Sequence, residues 1–312
     1  MTKLKGILLT EGMHGMISQV EGLAKALNLD FTHHTVELNN FWKLFPPKLT
    51  PISQKVFKKI NTDDFDVIIS CGRKSIIPSI YLKKNSSKKI TNIHIQDPKV
   101  NFNNFDYIIA PEHDGLNGKN VFLTKGAIHY LTKKEINNNN DYLKNRLENN
   151  KEYFLLVLGG PTKHYDYSDE NILNIFDLFN DLVKKNNLQG IVVPSIRTPK
   201  DIISLSKNKL ASNSLIIESV DKKAYLSALS LAKYIAITCD STSMVSEAAL
   251  TGKPIYVADI PTKKNDYRIK KFKELFTKLN IIKKLDNKLE TWHYEILDET
   301  SRIASVIKKK LT

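Results

Sequence analysis

The sharpest chemical signal is the run Ala236-Ile237-Thr238-Cys239-Asp240-Ser241-Thr242-Ser243-Met244-Val245-Ser246-Glu247-Ala248-Ala249, which reads as a buried strand, a hydroxyl-rich turn and the start of a helix. A helix amino terminus carries unpaired N–H groups and a partial positive charge, so it suits a phosphate. Ser241, Thr242 and Ser243 add hydroxyl donors, and Glu247 falls four residues past Ser243 on the same helix face. A carboxylate placed there can accept both hydroxyls of a ribose attached to that phosphate. The competing reading makes the serines a helix cap and Glu247 a surface acid. Gly252-Lys253-Pro254, leading into the next strand, favours the nucleotide.

Two further runs belong with it. In Gly159-Gly160-Pro161-Thr162-Lys163-His164, the glycine pair lets a ligand approach the backbone and Lys163 can meet phosphate. The run lacks the Lys-Ser/Thr ending of a P-loop, and no glycine turn spells GxGxxG, which disfavours dinucleotide hydride chemistry. Pro194-Ser195-Ile196-Arg197-Thr198-Pro199 follows a strand and carries one of only five arginines. Arginine is the bidentate phosphate binder. Ser195, Arg197 and Thr198 therefore join the binding set, the alternative being an arginine that braces its loop.

The first half places polar residues after successive strands. Glu11-Gly12-Met13-His14-Gly15 follows the first, Cys71-Gly72-Arg73-Lys74 the third, His94-Ile95-Gln96-Asp97-Pro98 the fourth and Pro111-Glu112-His113-Asp114 the fifth. Ligands of open parallel sheets bind beyond the carboxyl ends of the strands, so all four runs should open onto one rim. Glu11, His14, Asp97, Glu112, His113 and Asp114 are the candidates for a general base. Asp64-Phe65-Asp66 spells the DxD of metal-dependent glycosyl transfer but precedes its strand, on the edge away from the rim. His33 and His34 are neighbours in one strand and must face opposite ways, which argues against a metal pair. No metal site is expected.

These residues need two sheets to hold them. Apolar runs alternate with amphipathic stretches throughout, the pattern of parallel strands joined by crossover helices. The first half gives strands at residues 5–10, 31–37, 65–70, 89–95, 107–110 and 121–124, with helices at 18–27, 51–60 and 73–83. The second gives strands at 153–158, 190–194, 214–218, 234–238 and 254–257, with helices at 169–185, 200–210, 222–231, 241–250 and 269–279. Both halves open on a strand running into a glycine turn, so two Rossmann-like domains are expected in tandem. The boundaries are 1–131 for the first domain, 132–150 for a polar linker with a short charged helix, 151–289 for the second, and 290–312 for a helical tail packing back on the first.

Bulk properties narrow the partners. The 312 residues are 41% hydrophobic, enough for two cores, and no run reaches the roughly 18 apolar residues of a membrane span. The opening Met1-Thr2-Lys3-Leu4-Lys5-Gly6 has no signal-peptide pattern, and the two cysteines, Cys71 and Cys239, end apolar strands without CxxC spacing. A cytoplasmic chain is expected, peripheral at the inner face of a membrane if it has an address there. The net charge of +14 comes almost wholly from lysine. Without a zinc finger or RNP pattern, nucleic acid is not the expected partner. An anionic membrane surface, a lipid-linked acceptor or a phosphorylated substrate fits the charge. Phe41-Trp42-Lys43-Leu44-Phe45-Pro46-Pro47 either covers the first core or dips into a membrane interface.

The runs Ser70–Lys74, His94–Pro98, Pro111–Asp114, Leu158–His164 and Asp240–Glu247 together resemble the plant elongated-mitochondria fission family and its bacterial relatives, with the match spread from about Thr10 to Val257. The resemblance implies a GT-B-like α/β fold, two Rossmann-like domains facing across a cleft. It implies a nucleoside-diphosphate sugar as the donor substrate, no other cofactor, and an acceptor domain at the amino-terminal side. Three functions follow: a metal-independent glycosyltransferase, a nucleoside-diphosphate-sugar epimerase on the same fold, and a non-catalytic scaffold at a membrane surface.

Overall fold

Runs such as Ile7-Leu8-Leu9 and Leu155-Leu156-Val157-Leu158 are apolar at every position, so strands built from them need cover on both faces. In the computed structural model, which describes residues 3–61 and 64–311, each such run lies inside a parallel sheet. The chain forms two compact units. Unit 1 comprises the residues up to Tyr130 together with those from Asp298 onward, and unit 2 is Leu131–Leu297.

Unit 1 contains β1 (Lys5–Thr10), α1 (His14–Ala26), β2 (Asp30–Thr35), β3 (Val67–Cys71), α2 (Ile76–Lys84), β4 (Thr91–Ile95), β5 (Tyr107–Pro111) and β6 (Val121–Thr124). All pairings are parallel, in the order β2-β1-β3-β4-β5-β6. Side chains alternate between faces. Leu8, Val67 and Ile69 pack with Val20, Leu23 and Ala24 of α1. Ile7, Leu9 and Ile68 pack on the other side with Ile76, Ile77 and Ile80 of α2.

Unit 2 contains α3 (Lys133–Asn138), β7 (Tyr153–Leu158), α4 (Asp169–Lys185), β8 (Gln189–Pro194), α5 (Lys200–Lys209), β9 (Leu215–Ile216), α6 (Lys222–Leu231), β10 (Tyr234–Thr238), α7 (Thr242–Ala248), β11 (Ile255–Ala258), α8 (Tyr267–Lys278) and β12 (Ile282–Lys284). Its six strands are parallel in the order β9-β8-β7-β10-β11-β12. This is the dinucleotide-fold order, which reverses direction between β7 and β10. In unit 1 the reversal lies between β1 and β3. Crevices form at such switch points, beyond the strand ends.

The last helix, α9 (Glu299–Leu311), returns to unit 1 and buries Ile303, Ala304 and Ile307 on the α1 side of its sheet. Asp298 caps it by accepting from Ser301 N (3.0 Å). Glu299 is 4% exposed and clamps three groups. Its carboxylate accepts from Arg302 Nε (2.8 Å), from the Arg302 terminal nitrogen (2.6 Å) and from Lys125 N (2.9 Å).

Three expectations need correction. The helix expected at 51–60 is absent except for a 3-10 turn, Gln54–Val56. Phe57 is instead extended and bridges Leu38 as an antiparallel partner, which buries Val56 and Phe57 in the core. The segment 132–150 is no linker. Thr132 caps α3, and Ile136, Leu143 and Leu147 are buried. The Ser227 hydroxyl of α6 accepts from Leu143 N (3.1 Å) and donates to Asn140 O (3.0 Å). A polar sequence thus hides a narrow apolar stripe. Finally, the tail is helical only from Glu299. Before it, Trp292 packs edge-on against Tyr256 (5.1 Å) and donates to Asn280 O (2.8 Å), so residues near 290 belong to unit 2.

Because Glu299 satisfies three donors at the start of α9, Glu299→Ala should destabilise unit 1 by about 2 kcal/mol, the range for hydrogen bonds to a charged group. Urea unfolding reads the loss, and limited proteolysis should show α9 becoming susceptible first. An unchanged urea midpoint would mean that the apolar face of α9 suffices.

Candidate functional site

At the unit 2 switch point, three loops converge on one carboxylate. Asp240, just beyond β10, has a fully buried side chain. Its Oδ2 accepts from Gly160 N (3.1 Å) and from the Arg197 guanidinium (2.7 Å), and its Oδ1 accepts from the Thr238 hydroxyl (2.6 Å). Thr238 Oγ1 in turn accepts from Gly159 N (2.7 Å). One acid thereby holds the loops after β7, β8 and β10 together. The glycine pair is obligatory for this. A Cβ on Gly159 would lie 2.2 Å from the Asp240 oxygens, and one on Gly160 would lie 2.0 Å from Arg197 O.

The loop after β8 closes the arrangement. Thr198 Oγ1 donates to Gly159 O (2.6 Å) and accepts from Ser195 N (2.8 Å), while Ser195 Oγ accepts from Arg197 N (3.3 Å). A second Arg197 nitrogen donates to Gly160 O (3.2 Å). The structure therefore brings Gly159, Gly160, Ser195, Arg197 and Thr198 into one cluster. Both readings of Arg197 have a physical basis: it braces two loops, and its side chain is still 38% exposed at their surface.

The helix after β10 begins as the sequence indicates. Ser241 is the N-cap and its hydroxyl accepts from Met244 N (3.4 Å), so that hydroxyl serves the cap. Thr242 and Ser243 are half-buried in the first turn. Glu247 departs from the surface acid of the competing reading. Its carboxylate faces α6 and accepts from the Tyr225 hydroxyl (2.9 Å). Burial pushes its pKa up to about 7, with the Tyr225 bond pulling the other way. Lys253, counted as support for the site, is occupied elsewhere. Its amine donates to Leu229 O (2.9 Å) and to Ser230 O at the end of α6, and burial lowers it to about 8. Lys163 is exposed on its loop.

Two groups carried no role in the sequence reading. Asp240 is one, legible only as an acid ending a buried strand. Tyr167 is the other. Its hydroxyl is buried without a hydrogen-bond partner among the described residues, and both burial and Asp240 push its pKa upward. An orphaned hydroxyl beside the Asp240–Arg197 pair is a group that a ligand can satisfy.

Along the unit 1 rim the candidate bases follow three strands, β1, β4 and β5. Glu11 crosses the switch point, accepting from Lys74 N (3.0 Å) and pairing with the Lys74 amine (3.2 Å). His14 opens α1, exposed, with its ring 6.1 Å from that of Tyr130. Asp97 accepts from Lys99 N (2.9 Å) and pairs with the Lys99 amine. Glu112 is exposed, and His113 Nε2 lies 3.8 Å from Asp114 with both side chains largely buried. Three strand spacings separate β1 from β5, roughly 15 Å, so these residues share a rim without forming one cluster. At the opposite edge Asp64 and Asp66 both pair with Lys88 (2.8 Å each). His33 faces Thr10 (2.8 Å) and His34 faces Thr32 (3.4 Å).

Asp240→Asn should cost about 2 kcal/mol of unit 2 stability. Breaking a fully buried pair costs roughly 3–5 kcal/mol, and the partial exposure of Arg197 reduces this. Chemical denaturation measures the loss. A neutral result would show that backbone bonds alone hold the three loops.

Comparison with known proteins agrees with this architecture. The Neisseria meningitidis UDP-GlcNAc 2-epimerase bound to UDP-GlcNAc superposes with a TM-score of 0.53 at 14% identity, over 98% of this chain and 100% of that one. The glycosyltransferase SnogD from Streptomyces nogalater gives 0.53 at 11% identity, over 99% and 95%. These likenesses are of fold, and the chain has the GT-B-type α/β fold. In sequence, the uncharacterized protein RP120 of Rickettsia prowazekii (strain Madrid E) is 27% identical over 94% of this chain and 95% of its own length. The mitochondrial fission protein ELM1 of Arabidopsis thaliana is 23% identical over 78% of this chain, which spans 64% of the plant protein. The family model described as Mitochondrial fission ELM1 matches residues 14–311. The chain belongs to the mitochondrial fission ELM1 family.

Proposed function

We propose that this chain is a glycosyltransferase that takes a nucleoside-diphosphate sugar in unit 2. The observation that supports this most is the convergence of three loops on Asp240 at the β7/β10 switch point. It presents the Gly159–Gly160 backbone, the Arg197 edge and the first turn of α7 side by side. In this reading Arg197 and Lys163 balance the charge of the leaving diphosphate, and Thr242 and Ser243 donate to it. Glu247 accepts the ribose hydroxyls. The acceptor role falls to unit 1, where Glu11, His14, Asp97, Glu112, His113 or Asp114 removes the hydroxyl proton. UDP-GlcNAc is the first donor to test, since a fold neighbour is described as binding it.

The same neighbour favours a second reading, epimerisation of the nucleotide sugar without an acceptor. Conversion of UDP-GlcNAc by the chain alone supports the epimerase, and conversion only with an acceptor supports the transferase. Absence of any nucleotide binding leaves the non-catalytic scaffold.

A ribose diol donates to an ionised carboxylate, so donor affinity should rise as pH climbs through about 7, where Glu247 loses its proton. UDP-GlcNAc is the suitable probe because its esterified diphosphate does not titrate there. Glu247→Gln should weaken binding by about 1.5–3 kcal/mol above that pH and flatten the profile. The same proton has the opposite effect on stability. The folded pKa is raised, so the folded state holds a proton that the unfolded chain has released between about pH 4.5 and 7, and stability falls as pH rises across that window. Calorimetric affinity that is flat with pH in the wild type would remove Glu247 from the ribose.

A second test concerns the phosphates. Arg197→Lys keeps the charge and loses the planar fork, so affinity for UDP should fall more than affinity for uridine. Equal losses for the two ligands would make Arg197 a brace alone.

A further inference from the structure

Between β2 and β3 the chain makes a long excursion closed at its neck. Leu38 bridges Phe57, Asn39 N donates to Val56 O (2.9 Å), Lys58 N donates to Glu37 O (2.9 Å), and the Asn39 side-chain amide donates to Lys55 O (2.7 Å). Within it lie three 3-10 turns, Trp42–Leu44, Pro47–Leu49 and Gln54–Val56. One side faces inward, with Leu38, Val56 and Phe57 buried and Trp42 packed against the same core. The other side does not. Phe41 is 61% exposed, Leu44 81%, Leu49 66% and Ile52 38%. The rings of Phe41, Trp42 and Phe45 cluster at centroid distances of 4.9 to 5.6 Å.

A lone exposed leucine needs no explanation, but four large apolar side chains within residues 41–52 form a patch that water penalises. The patch is held in place. Arg73, in the loop after β3, donates to Lys43 O (2.8 Å) and ties the first turn to the sheet edge. Charge then selects the occupant. Residues 38–61 contain five lysines, Lys43, Lys48, Lys55, Lys58 and Lys59, and no acid. A second copy of the chain would set these lysines against their own equivalents. An anionic lipid surface matches both features, because aromatic rings favour the headgroup boundary and each nearby lysine adds roughly fivefold to the attraction.

We propose that the 41–52 excursion docks unit 1 onto an anionic lipid surface, with Phe41, Leu44 and Leu49 entering the headgroup boundary and the flanking lysines neutralising lipid charge. No helix among the described residues is long and apolar enough to cross a membrane, and docking by this patch needs none. The proposal is independent of the donor reading, whose nucleotide-binding residues all lie in unit 2.

The test is co-sedimentation of the full chain with phosphatidylcholine vesicles, with and without phosphatidylglycerol, at low and high salt. The wild type should pellet with the anionic vesicles only, and less so at high salt. Leu44→Ser with Leu49→Ser should lower partitioning at least about tenfold. Both side chains are exposed, so circular dichroism and the elution volume should not change. Lys43→Glu with Lys48→Glu should reduce anionic-vesicle binding by a similar factor. Calorimetry with UDP-GlcNAc on the same variants keeps a failure here distinct from a failure of the donor site. No pelleting with anionic vesicles at low salt overturns the proposal, as does equal partitioning of the leucine variant. Equal pelleting with neutral vesicles overturns its electrostatic half. A wild-type dimer that the leucine variant abolishes would make the patch an interface between copies.

Discussion

The geometry of unit 2 rests on a charge taken out of water. The Asp240 carboxylate is inaccessible, and a buried carboxylate persists only where its lone pairs are filled. Thr238, Gly160 and Arg197 fill them, and each comes from a different loop or strand end. The parallel sheet brings three strand ends to one edge, and the acid converts that proximity into fixed positions. The two glycines follow from it, since no side chain fits between the carboxylate and the backbones it gathers. So does the placement of Arg197, whose two terminal nitrogens are held by Asp240 and Gly160 O while its side chain stays 38% exposed. Loops tied together in this way are held by bonds internal to the protein, and such preorganisation lowers the ordering cost of binding.

Unit 1 has the same kind of edge with a softer organiser. Glu11 links β1 to the loop after β3 through Lys74, across its own switch point, but the pair is partly open to solvent. Elsewhere on the rim Asp97 pairs with Lys99, and His113 lies beside Asp114. Unit 2 thus fixes its switch-point loops through one buried acid, and unit 1 presents a row of titratable groups at strand spacing.

Much of this was legible in the sequence, for a reason that also explains the failures. Strands β7 and β10 and helices α4 and α6 have the bounds read from the chain. The two helices repeat their apolar residues at one period and the two strands are short continuous apolar runs, so local pattern and length decide. The segment 51–60 failed because its apolar residues serve a bridge to Leu38, a contact far along the chain. Residues 132–150 failed because three buried positions among many polar ones give no detectable period, yet suffice once α6 lies beside them. The position of Glu247 on the face of Ser243 could be read from helical spacing. Its burial and its bond to Tyr225 could not, because they depend on elements distant in the sequence. Asp240 was visible as a residue and invisible as an organiser for the same reason.

The return of α9 to unit 1 has a consequence for how the protein is made. Unit 2 is continuous from Leu131 to Leu297, so every residue it needs is synthesised before α9 is. Unit 1 is not continuous. Its amino-terminal part emerges first but lacks Ile303, Ala304 and Ile307, which cover one side of its sheet. The nascent chain therefore carries an incompletely covered apolar face on its first-made half throughout the synthesis of its second. Unit 1 begins first and cannot finish until the last helix arrives, and over that interval a chaperone has a defined surface to hold.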